Sequence, residues 1–150
     1  MKIKDKIQSK SIDFRKSKNL NGISAINSLK TAITEQEKVN KNVELVDEEI
    51  YKIVNKLIKQ REDSKLSFLN VGNTIKANDE EEQKEYLKIF LPEQMTEDEI
   101  VEAIKGIVLS LGETPNKQAK IGKTIGTFNK QYTGRADTKK VIEIVNKILN

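Results

Sequence analysis

The stretch Ile121–Asp137, I-G-K-T-I-G-T-F-N-K-Q-Y-T-G-R-A-D, holds three of the chain's seven glycines together with Lys123, Lys130 and Arg135. Gly122-Lys123-Thr124 has the ending of a phosphate loop, in which a glycine-rich backbone cradles phosphates and the lysine reaches them. Such a loop needs its first glycine at position 117, where this chain has lysine, and a strand before it, where the pattern here is helical. That chemistry is excluded. Other catalytic groups are equally scarce. The chain has no His, Cys or Trp, which removes imidazole bases, thiol nucleophiles and zinc sites with nitrogen or sulfur ligands. Three carboxylate runs remain, Asp47–Glu49, Asp79–Glu82 and Glu97–Glu99. Each falls at the expected start of a helix, where dipole and capping explain it, so no metal and no cofactor is expected.

Binding is the better-supported chemistry. At about 100° per residue along a helix, Ile121, Ile125, Phe128 and Tyr132 gather on one face. Lys120, Lys123, Thr127 and Lys130 gather on nearly the opposite one, and Gly122 and Gly126 form a bare strip between them. Two glycines inside a helix cost about 2 kcal/mol relative to alanine, so something should use the missing side chains. The ordinary use is close approach of a neighbouring helix; the sharper one is close approach of a phosphodiester beside the lysine row. Gly134 reads as the glycine that ends this helix and Asp137 as the N-cap of the next. Arg135 stands between them, placed either to pair with phosphate or to bind the carbonyls of the helix end. Lys139 and Lys140 follow in a first turn, where the helix dipole disfavours cations.

The elements that position these groups are all helical. Apolar residues recur at helical spacing over about Ile3–Lys16, Gly22–Val39, Val46–Leu69 and Asn78–Leu91. In the third of these the stripe Ile50, Ile53, Val54, Leu57 and Ile58 continues to Phe68 and Leu69. Arg61 falls where the stripe would continue, as a paired, half-buried arginine would. Thr96-Glu97-Asp98-Glu99 is a capping box opening a fifth helix, which Gly112 stops. Thr114-Pro115 reads as cap and first-turn proline of a sixth. A seventh, from about Asp137 to Leu149, is expected to bury Val141, Ile142, Val145, Ile148 and Leu149.

Two prolines and seven glycines are too few for an all-β chain of 150 residues. Leu91-Pro92-Glu93-Gln94 is the expected boundary between two helical units, 1–91 and 92–150, the second a three-helix bundle. No run nears the ~18 apolar residues of a membrane span. Without cysteines or a secretory segment, a cytoplasmic location is the expectation. The net charge of +4 is uneven, with residues 113–150 carrying eight Lys/Arg against three Asp/Glu. Basic ends around an acidic middle fit either an anionic partner or neutralisation within the fold.

Taken in order, Lys59-Gln60-Arg61-x-x-Ser64, Leu91-Pro92-x-Gln94, Gly122-Lys123-x-x-Gly126 and Gly134-Arg135-Ala136-Asp137 resemble the GatB/YqeY-domain family over nearly the whole chain. Members often carry Gly-Arg where this chain has Gly72-Asn73, and Gly after the Asp where it has Thr138. The family includes the C-terminal tail of the B subunit of the tRNA-dependent Asp/Glu amidotransferase, which helps to hold tRNA while other domains do the chemistry. The resemblance implies a two-part all-α fold and a non-catalytic module, binding tRNA or accessory to an amidotransferase. Gly122, Lys123, Gly126, Gly134, Arg135 and Asp137 match its motif. The expected RNA-binding set is Lys120, Lys123, Lys130, Arg135, Lys139 and Lys140. The alternative is a protein-interaction adaptor that uses the glycine strip and needs no nucleic acid.

Overall fold

The computed structural model describes residues 2–150. Among them there are seven helices and no strand: α1 (Ile3–Lys16), α2 (Leu20–Val39), α3 (Asp47–Asn70), α4 (Thr74–Lys88), α5 (Glu97–Leu111), α6 (Lys117–Gln131) and α7 (Thr138–Leu149). No helix is long and apolar enough to cross a membrane. Contacts divide the chain into two compact units, Met1–Leu91 and Pro92–Asn150, each with its own core.

In the first unit, Ile26, Leu29, Ile50, Val54 and Leu87 are wholly buried and hold α2, α3 and α4 together. Helix α4 packs along both α2 and α3, while α1 lies against α2. Gly22 makes the α1–α2 corner possible. A side-chain carbon there would collide with the ring of Phe14, which is buried and packed at a tilt against Tyr86 with ring centres 4.8 Å apart.

Arg61 is the paired, half-buried residue that its position in the stripe suggested. Its guanidinium donates to Ser28 Oγ on α2 at 2.7 Å and to Gln83 Oε1 on α4 at 3.0 Å, and lies 3.7 Å from the Glu80 carboxylate. One turn beyond, Lys84 Nζ pairs with Glu62 at 2.9 Å and with Glu81 at 2.8 Å, and Lys65 reaches the same Glu81 oxygen at 3.0 Å. These lysine bonds hold the Glu81 carboxyl down to about 2, and lower that of Glu62 as well. Burial works against the charge of Lys84, but its two carboxylate partners outweigh it and raise its pKa.

Several boundaries differ from the pattern in the sequence, each for a local reason. Helix α2 begins at Leu20, not Gly22, because Asn19 caps it by accepting from the Gly22 N–H at 2.9 Å. Helix α4 begins at Thr74, not Asn78, because Asn73 caps it by accepting from the Lys76 N–H at 3.1 Å. Its acidic run therefore lies beyond the first turn, and cross-helix pairing, not the dipole, accounts for Glu80 and Glu81. Helix α4 also stops at Lys88, short of Leu91. The apolar stripe of α3 does not stay buried to its end, since Leu66 and Leu69 are exposed.

Two measurements check this core. Gly22→Ala should lower the melting temperature strongly, because the Phe14 ring must move; an unchanged value would contradict that contact. The Glu81 value lies below the ordinary 4.5, so its bonds stabilise the fold above that pH and are lost as pH falls towards 2. The urea midpoint should fall between about pH 6 and about pH 3, and fall less in Glu81→Gln; parallel curves would rule out this contribution.

Candidate nucleic-acid interface

In the second unit α5, α6 and α7 pack together around Ile104, Phe128, Val141 and Val145, all essentially inaccessible. The α5 start forms as its sequence requires. Thr96 Oγ1 accepts from the Glu99 N–H at 3.2 Å, and the Glu99 carboxylate accepts from the Thr96 N–H at 3.1 Å. The same backbone bond lowers the Glu99 pKa. Two other ends differ. The cap of α6 is Asn116, which accepts from the Ala119 N–H at 2.8 Å, so Thr114-Pro115 lie before the helix and not in it. On α7 Ile144 is buried with Val141 and Val145, whereas Ile142 is 38% exposed and Ile148 and Leu149 are only partly buried.

The rotation of α6 is set by what it buries. Phe128 is 1% exposed and stacks on Tyr132 with centroids 5.0 Å apart. Ile121 and Ile125 pack at the edge of the same core. Thr124, which the projection left unassigned, is completely buried. Its hydroxyl donates to the Lys120 carbonyl at 2.7 Å, so the one polar group on this face is satisfied inside the helix. A threonine one turn before Phe128 was the available signal.

With that face inward, Gly122 and Gly126 are exposed. A side-chain carbon at either would meet no atom within 4 Å. Close approach of α5 or α7, the ordinary explanation for the glycines, is thereby ruled out within this unit. The strip is open, with Lys123 and Lys130 exposed beside it.

The six cations divide into two groups. The side chains of Lys123, Lys130 and Lys139 are exposed, and their ammonium groups make no hydrogen bond or ion pair among the described residues. The other three have partners inside the unit. Lys120 Nζ donates to the Gly112 carbonyl at 3.1 Å, closing the end of α5. Lys140 Nζ lies 3.6 Å from Glu97, a solvent-exposed pair that contributes little. Arg135 Nε donates to the Glu93 carbonyl at 3.0 Å, while its own carbonyl accepts from the Met95 N–H at 2.8 Å. Gln94 Nε2 adds a bond to the Gly134 carbonyl at 2.7 Å. The Arg135 guanidinium therefore clips the α6–α7 turn to the segment entering α5 and leaves the carbonyls that end α6 alone, whereas its backbone N–H donates to the Tyr132 carbonyl at 3.0 Å. The turn itself requires Gly134, whose φ of 74° suits glycine. Asp137 caps α7, accepting from the Lys139 N–H at 3.2 Å. No cluster of metal-ligating residues occurs among the described residues.

Gly126→Ala tests the openness of the strip. With no neighbour to meet, the new methyl should stabilise the unit by about 0.5–1 kcal/mol in urea unfolding through helix propensity alone. A loss of stability would show that the strip is packed.

The sequence profile of the Yqey-like protein family matches residues 4–149. No curated protein matches the chain. The chain belongs to the YqeY-like family, the GatB/YqeY-domain family.

Proposed function

We propose that the α6–α7 region of this YqeY-like chain binds the phosphate backbone of a folded RNA, tRNA being the candidate by kinship with the amidotransferase tail. The observation that carries the reading is the open Gly122–Gly126 strip with unpaired Lys123 and Lys130 alongside it. A bare helix surface admits a phosphodiester closely, and lysines at its edge supply the charge that such a ligand needs. Lys123, Lys130 and Lys139 are the contact residues. Lys120, Arg135 and Lys140 shape the surface through their internal partners, and Lys140 can exchange its exposed carboxylate for a phosphate. The role is accessory: the module holds RNA, and the chemistry of an amide transfer would belong to another protein.

A protein contact is the second reading, favoured by Leu109, which is 83% exposed on α5. The two separate cleanly, because a partner retained after nuclease treatment is held by protein and one that is lost is held through RNA.

Filter binding of a transcribed tRNA at about 50 and about 200 mM salt checks the first reading. Neutralising three phosphates should weaken binding roughly 10- to 50-fold over that range, and Lys123→Ala/Lys130→Ala/Lys139→Ala should flatten most of the salt dependence. No binding at the lower salt, or an unchanged slope in the triple variant, contradicts it.

A further inference from the structure

A second candidate binding surface lies in the first unit. Helices α2 and α3 both pack on α4 but meet each other only sparsely, leaving a groove of about 840 Å³ between them. On α2 it is lined from Asn27 to Val39, which at 1.5 Å per residue is about 18 Å, or a little over three helical turns. Its floor includes Ala32, Ile53 and Leu57, and Val39, 76% exposed, adds apolar surface. The motif Lys59-Gln60-Arg61 contributes Gln60 and Arg61 to the α3 wall.

The charge on the two walls is one-sided. Lys52 and Lys56, one turn apart on α3, are exposed and unpaired among the described residues. The only carboxylate in the lining is Glu35, on α2. Arg61 adds no free charge, since it is held by Ser28, Gln83 and Glu80. From these features we infer that the groove docks an acidic amphipathic helix of a protein partner. The trough between two helices is filled by the ridge of a third, with apolar residues one turn apart entering the floor. Carboxylates on the flank of that helix would meet Lys52 and Lys56. An RNA duplex fits poorly, being broader than a space between adjacent helices and having nothing to place on an apolar floor.

The test is selection of a phage-displayed library of helical 12-residue peptides against the full chain, followed by anisotropy titration of the recovered peptides. Thr31→Trp blocks the groove from an exposed position without touching the core, and Lys52→Glu/Lys56→Glu reverses the wall; circular dichroism verifies that both variants fold. The recovered peptides should be enriched in Asp and Glu beside apolar residues spaced three and four apart. Their affinity should fall at least tenfold in each variant, and lysine-for-glutamate versions should regain it in the reversed wall. Several outcomes overturn the inference: no peptide recovered, basic or neutral peptides recovered, or binding indifferent to both variants. Displacement of the peptides by a single-stranded RNA of about 20 nucleotides, or dimerisation of the chain through the groove, would reassign the surface to those occupants.

Discussion

The rotation of α6 about its own axis is the constraint on which the functional reading rests. Burying Phe128 and Thr124 leaves a 15-residue helix no freedom to choose what it shows to solvent. At 3.6 residues per turn the opposite side must carry Gly122 and Gly126, with Lys123 and Lys130 on their flank. The open strip is thus a consequence of core packing a few ångströms away. Alanine at the same positions would satisfy the core equally well and would make a better helix. Within their own unit, therefore, nothing packs close enough to Gly122 or Gly126 to require a missing side chain.

A different interaction organises the first unit. Arg61 joins α2, α3 and α4 through one guanidinium, and removing it would leave Glu80 with a buried carboxylate oxygen and no cation. The planar fork suits that work in a way lysine does not. By holding α2 and α4 each to α3 at this point, it also fixes the two walls of the groove between α2 and α3.

Much of this was legible in the residues. The capping box at Thr96–Glu99, the core face of α6 and the pairing of Arg61 follow from spacing and residue type, and so does the all-helical class. The errors cluster at helix starts. Asn19 and Asn73 cap helices that begin ahead of the apolar pattern, and Asn116, not Thr114, caps α6, because an asparagine side chain can satisfy a first-turn N–H. What spacing could not supply was the partner of each cation. Lys120, Arg135 and Lys140 read as a single basic set with Lys123, Lys130 and Lys139, and only three-dimensional neighbours separate those already engaged from those free.

The most direct test of the central claim is an amide chemical-shift titration of the full chain with tRNA. The account requires the Gly122, Lys123 and Gly126 amides to move on addition of tRNA and to return as salt is raised, while the amides of Ile104 and Val145 in the core of the same unit stay fixed. Shifts confined to other surfaces, or none at low salt, would contradict it.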